Sequence, residues 1–265
     1  CLHCSLKPYI RHGDRCCPVY SSPAPLDASL KGSSHAGPDK GKKTMRIAHI
    51  SPFLEKVSSE SQDPQGRMIF HLTKQLTRLG HEVMVFASGD SRTAGELIPV
   101  APLSMRSYPA PKRHLAEALA MLALEKAFAT LPSFDIIHLH SGLSCLPLMR
   151  RSPIPIVSTV YDALDAPEVI KVYREFKELA LIATCAEQLK QVPDLNWQAV
   201  IPCLDMLRWK NEPQAVEKIA RAHETVYEWS TIGMGLPERV APHLRVVTSA
   251  KANTTHERSI AASPY

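Results

Sequence analysis

Met45-Arg46-Ile47-Ala48-His49-Ile50-Ser51-Pro52, followed further on by Leu79-Gly80-His81-Glu82-Val83 and Phe86-Ala87-Ser88-Gly89-Asp90-Ser91, decides how this chain folds. Arg46 to Ser51 is a short apolar run closed by a turn signal, Pro52, and reads as a buried strand. A polar loop follows, Glu55 to Gln65. Met68, Ile69, Leu72, Leu76 and Leu79 then recur at helical spacing, and Gly80 supplies a C-terminal cap. Glu82 to Ala87 is the second strand. A strand, a crossover helix and a strand in this order make the unit from which parallel sheets are built.

Working outward, the same alternation continues. Leu115, Leu119, Leu122 and Ala129 mark a helix that is apolar on much of its surface, which predicts that it is well buried. Asp135 to His140 reads as a strand, Leu143 to Arg150 as a short helix and Ile154 to Val160 as the next strand. Pro153 and Pro155 sit at that strand's entrance, where ladder donors are least needed. Ala180 to Thr184 and Trp197 to Ile201 are two more strands. Pro213 to Trp229 is helical, with Val216, Ile219, Ala220, His223 and Tyr227 on one face. The expectation is an α/β fold, a Rossmann-like parallel sheet with helices on both faces. Ligands of such sheets bind at the carboxyl ends of the strands. That rule selects the loops after Ser51, Ala87, His140 and Val160.

Charge is divided unevenly. Residues 1–44 carry seven of the 31 Lys and Arg and three of the 26 Asp and Glu, so +4 of the net +5 sits there. The body is close to neutral, and no nucleic-acid partner follows from it. No apolar run approaches the ~20 residues a membrane helix requires. Cys145, Cys185 and Cys203 are few and scattered, which suits free thiols in a reducing compartment and predicts a cytoplasmic protein. The sequon Asn253-Thr254-Thr255 is then unused. Residues 1–44, rich in Ser, Pro, Gly and Lys, read as a disordered leader. Cys1, Cys4, Cys16 and Cys17, with His3 and His12, do not match a standard zinc-finger spacing. Residues 45–210 form the folded domain, 211–229 a C-terminal helix and 230–265 a disordered tail.

The text of Met45 to Asp205 resembles the N-terminal domain of family 4 retaining glycosyltransferases of the GT-B fold. The resemblance rests on Met45-Arg46-Ile47-Ala48, Leu72-Thr73, Leu79-Gly80-His81-Glu82-Val83, Phe86-Ala87-Ser88-Gly89-Asp90-Ser91, Asp135-Ile136-Ile137-His138-Leu139-His140, Tyr173-Arg174-Glu175-Phe176 and Asn196-Trp197. It implies one half of a GT-B architecture. It also implies an ancestral role in moving a sugar from a nucleotide-sugar donor to a carbohydrate or lipid-linked acceptor, which the N-terminal domain chiefly holds. The donor is a substrate, and the resemblance implies no cofactor and no required metal.

The sequence departs from the family at telling positions. Where relatives carry a glycine pair after the first strand, this chain has Asp63-Pro64-Gln65-Gly66. Asp63 repels phosphate and Pro64 has no N–H to offer it. Tyr161-Asp162 stands where relatives place a histidine then a glycine, and Ala183-Thr184-Cys185 where they prefer serines. Past Asp205 only 60 residues follow, fewer than the ~100 a second nucleotide-binding domain needs, and the terminal helix resembles the one that crosses back to the first domain in this family. These departures favour a truncated, inactive or binding-only relative as the alternative to an active enzyme. A flavodoxin-like small-ligand binder is a second alternative.

The candidate catalytic residues are Tyr161 and Asp162. The candidate donor- or acceptor-binding residues are Gly66, Arg67, His140, Ser141 and Asp90. No metal ligand is assigned: His138 and His140 alternate on one strand, but such pairs often just face helix termini. His223 is expected at the edge of its helix. The three body cysteines are expected to be small core residues. Asp165-Ala166-Pro167-Glu168 reads as a helix start rather than a general-base cluster. Donor base, sugar, acceptor and oligomeric state are open at this level.

Overall fold

The computed structural model describes residues 43–108, 113–130, 132–203 and 213–232. The expected leader with its cysteines, the link from 204 to 212 and the tail after 232 lie outside the described residues. Seven strands form one parallel sheet: β1 Arg46–Ile50, β2 Glu82–Ser88, β3 Glu96–Ala101, β4 Ile136–Leu139, β5 Ile156–Val160, β6 Ala180–Ala183 and β7 Trp197–Val200. Their spatial order is β3-β2-β1-β4-β5-β6-β7. The direction of travel reverses between β1 and β4, and a crevice at the carboxyl ends of those two strands is where such sheets take ligands.

Side-chain alternation assigns the faces. Ala48, Ile50, Phe86, Ile137, Leu139 and Leu181 join one core cluster, and Ile47, Val83, Val85, Ile136, Val157 and Ile182 join the other. Helix α1 (Pro64–Arg78) covers the second face. Helix α2 (Arg113–Phe128) and the short α3 (Leu146–Arg150) cover the first. Helices α4 (Pro167–Glu175) and α5 (Ala186–Gln191) link β5 to β6 and β6 to β7. The last described helix, α6 (Pro213–Thr231), lies beside α1 and against β4, β5 and β7. No described helix is long and apolar enough to cross a membrane.

The Leu79-Gly80-His81 string has a mechanical explanation. Gly80 has φ +94°, in the left-handed region that glycine tolerates. Its N–H donates to the Thr77 carbonyl (3.1 Å) and the His81 N–H donates to the Leu76 carbonyl (3.1 Å), a Schellman ending for α1. His81 then braces three segments. Its Nδ1 accepts from the Met45 N–H (3.2 Å), so Nε2 carries the proton and donates to Glu224 on α6 (2.7 Å).

Three expectations needed correction. Strand β3 is absent from the sequence reading, because Glu96-Leu97-Ile98-Pro99-Val100-Ala101 is an edge strand that contains a proline and buries only its last residue. Helix α2 is not buried all round. It packs Ala116, Ala120, Ala123, Leu124 and Ala127 on the sheet, while Leu115 and Leu122 stay 38% and 46% exposed. Small residues let helix and sheet approach closely, and that leaves the leucine face outside. Of the cysteines, Cys145 is buried, but Cys185 is exposed and Cys203 half-buried.

Candidate functional site

The loops at the carboxyl ends of β1, β4 and β5 bring most of the candidate residues together. Ser141 follows β4, and its hydroxyl donates to the Ser51 carbonyl after β1 (3.1 Å), tying the two exits across the switch point. Phe53, fully buried in the loop after β1, holds φ +59°, a strained value for a bulky side chain. Gly142 and Asp162 face each other, since a Cβ added at Gly142 would lie 3.4 Å from Asp162 Oδ2. Tyr161 and Asp162 are each partly exposed.

Tyr161 hydrogen-bonds His140 Nδ1 through its hydroxyl (3.0 Å). Burial, reinforced by Cys203 and Asp63, pushes its phenol well above the ordinary range. The hydroxyl is therefore a neutral hydrogen-bonding group at physiological pH and not a base. Asp162 accepts from the Tyr173 hydroxyl (2.7 Å). Burial and then Asp162 raise the Tyr173 phenol, so that proton stays on Tyr173. Gln188 Nε2 donates to the Val160 and Asp162 carbonyls (3.0 and 3.1 Å) and holds this exit in place.

Gly66 and Arg67 lie in the first turn of α1, where the chain satisfies itself. The Asp63 carboxylate caps the helix by accepting from the Gln65 N–H (3.3 Å). Arg67 is buried, and one of its terminal nitrogens donates to the Ser61 and Gln62 carbonyls. A Cβ on Gly66 would meet both the Lys56 carbonyl oxygen and Ser61 Oγ at 2.7 Å. The missing side chain makes room for the preceding loop. Gly66→Ala should therefore cost about 1–3 kcal/mol by overpacking against backbone. Urea unfolding checks this, and an unchanged midpoint would show that the loop yields freely.

Asp90 is placed apart from Tyr161 and Asp162. It accepts from the Ser104 N–H and hydroxyl (both 3.0 Å) and from the Ser107 hydroxyl (3.2 Å). Burial works to raise its pKa, but hydrogen bonds from Ser88, Ser104 and Ser107 outweigh it and the net shift is downward. It pins the exit of β2 to the turn at Met105–Ser107. Pro167 and Glu168 open α4, consistent with a helix start rather than a base cluster.

Beneath these loops lies a feature that periodicity alone did not predict. His49 on β1, His138 on β4, His140 after β4 and His223 on α6 form one buried group. His49 Nδ1 and His140 Nε2 are 3.0 Å apart. The His138 ring lies 3.9 Å from that of His140 between centroids, and 5.3 Å from that of His223. His138 is held by the Tyr227 hydroxyl at Nδ1 (2.6 Å) and by Thr159 Oγ1 at Nε2 (2.8 Å). Burial drives all four pKa values down, to about 3 for His49 and about 4 for His223. His138 and His140 also fall well below the ordinary value, through burial and then their histidine neighbours. His223 is thus central and not at a helix edge. The available signal was that β1 and β4 are neighbours whose histidines fall on the same face, and that pairing is a tertiary fact.

Residues 65–192 match the model of the family described as Glycosyltransferase Family 4. The match lies within Met45 to Asp205, the stretch whose text resembles that family. Among solved structures, a chain of sucrose-phosphate synthase from Thermosynechococcus elongatus is similar, at 16% identity and a TM-score of 0.45, over 70% of this chain and 98% of that one. No curated protein matches the chain by sequence.

Proposed function

We propose, from the match of residues 65–192 to the glycosyltransferase family 4 model, that the chain acts in sugar transfer, holding a carbohydrate acceptor at the carboxyl edge of its sheet. The observation that carries this is Asp162, partly exposed at the exit of β5 beside Gly142 and within the matched region. The Asp162 carboxylate, facing Gly142, can accept from sugar hydroxyls. Gly142 brings only backbone beside Asp162, since a Cβ there would touch its carboxylate at 3.4 Å. Ser141 and His140 fix the backbone and the phenol behind them.

A binding-only reading has its own observation. The groups at the start of α1 that would greet a donor diphosphate are occupied by Asp63, Arg67 and the loop carrying Lys56 and Ser61. One experiment separates the two. The full chain is incubated with UDP-glucose or GDP-mannose and a panel of mono- and disaccharides. Melting temperature and release of nucleoside diphosphate are both recorded. Transfer requires release that depends on both substrates. A saccharide-induced rise in melting temperature without release identifies a binding-only domain, and neither response rejects the proposal. Where a saccharide binds, Asp162→Asn should weaken it about tenfold, equivalent to ~1.4 kcal/mol.

A further inference from the structure

The histidines under the switch point have a property that the sugar-transfer reading does not use. One ring nitrogen from each of His49, His138 and His140 lies within 4.8 Å of the other two, and all three residues are buried. Packing imidazoles together without counter-ions is costly unless each nitrogen finds a partner. Two do not: His49 Nε2 and His223 Nε2 are buried without a hydrogen bond. Beyond the contact of His49 with His140, the hydrogen bonds of these four rings go to neutral groups. Their partners are hydroxyls and one carbonyl: Thr159, Tyr161, Tyr227 and the Ile219 carbonyl, which takes the His223 Nδ1 proton (2.8 Å).

Metal-ligating histidines characteristically use one ring nitrogen for the ion and hold the other through an outer partner that orients the ring. His140 has that form, with Nδ1 on Tyr161 and Nε2 turned toward His49. His138 is gripped by Tyr227 at one nitrogen, and Thr159 at the other is a rotatable hydroxyl that can give way. His223, with Nε2 unpartnered, stands beside His138 but outside the three whose nitrogens lie within 4.8 Å of one another. We propose that His49, His138 and His140 form a site for a divalent transition metal of the zinc class between the sheet and α6. All-imidazole donors suit zinc and its late first-row neighbours rather than calcium or magnesium, which take oxygen. Metal–nitrogen bonds of ~2.0–2.1 Å at tetrahedral angles put ligand nitrogens roughly 3.4 Å apart. Loading therefore needs ring shifts on the order of an ångström. The site is closed to solvent, so the ion's role is structural: it fastens β1 to β4. This inference stands independently of the sugar-transfer reading.

The test uses the purified full chain, stripped with a chelator and desalted, then given Zn²⁺ or Co²⁺. One equivalent of metal retained after a second desalting is expected, with a rise of several degrees in melting temperature. The Co²⁺ form should show visible ligand-field bands and no thiolate-to-cobalt band in the near ultraviolet. His49→Gln and His140→Gln should each abolish retention while far-ultraviolet circular dichroism is unchanged. Should either variant fail to fold, the Co²⁺ spectrum of the wild-type chain decides by itself. Absence of retained metal and of any melting shift in the wild-type chain overturns the proposal. So does a thiolate band that disappears in a Cys4→Ser/Cys16→Ser chain, because the ion then sits on the cysteines.

Discussion

Acidification from pH 7 to about pH 4.5 should unfold the metal-free protein, and the four buried histidines are the reason. In the unfolded chain each imidazole takes up a proton as the pH falls through ~6.5. In the folded protein, burial holds His49 down to about 3 and His223 to about 4, and it holds His138 and His140 well below the ordinary value. Above ~6.5 both states are neutral at these positions and stability does not change with pH. Below it the unfolded state binds more protons, so stability falls with pH until the folded-state values are reached. Each group contributes about 1.4 kcal/mol per pH unit. His49 and His223 together lose roughly 3 kcal/mol per unit between pH 6 and 4.5, and His138 and His140 add to the loss in the same direction, against the ~5–15 kcal/mol of an ordinary domain. Urea midpoints at pH 7.5, 6.5, 5.5 and 4.5 measure this. Midpoints that stay level from 7.5 to 5.5 would show that these rings are not buried neutral.

The second large effect is at Tyr227, which is fully buried where α6 meets the sheet. Its ring lies among His49, His138 and His223, and its hydroxyl is 2.6 Å from His138 Nδ1. Tyr227→Ala removes a large buried aromatic and should cost about 3–5 kcal/mol. Tyr227→Phe keeps the volume but strips His138 of a partner, and should cost about 1–3 kcal/mol. Denaturant unfolding of the pair separates packing from hydrogen bonding. If Tyr227→Ala loses less than ~1 kcal/mol, α6 is not fastened to the sheet through this residue.

The two predictions concern the same junction and differ in how far the sequence announces them. The amphipathic face of α6 is plain in Val216, Ile219, Ala220, His223 and Tyr227, and all five are buried. Its target is not plain, because an apolar stripe states that it needs cover and does not name the cover. The exposed leucines of α2 make the same point in reverse. Apolar residues over much of its surface predicted that it is well buried, and the close fit of its alanines left Leu115 and Leu122 outside. At α1, the run from Asp63 to Gly66 announces a departure from the family. Only the approach of Lys56 and Ser61 to Gly66 shows what the glycine is for.

The sequence by itself determined the alternation of strand and helix, the parallel sheet and the family 4 text. These are local properties: period, turn chemistry and short strings are each written within a few residues. Tertiary structure alone decided the switch point between β1 and β4, the partners of Tyr161 and Asp162, and the meeting of His49, His138, His140 and His223. Parallel pairing sets His49 opposite His138 although 89 positions separate them, and α6 then delivers His223 from further still. Contacts of that kind arise when separate buried faces share one side of a sheet, and no pattern within either segment specifies its distant partner.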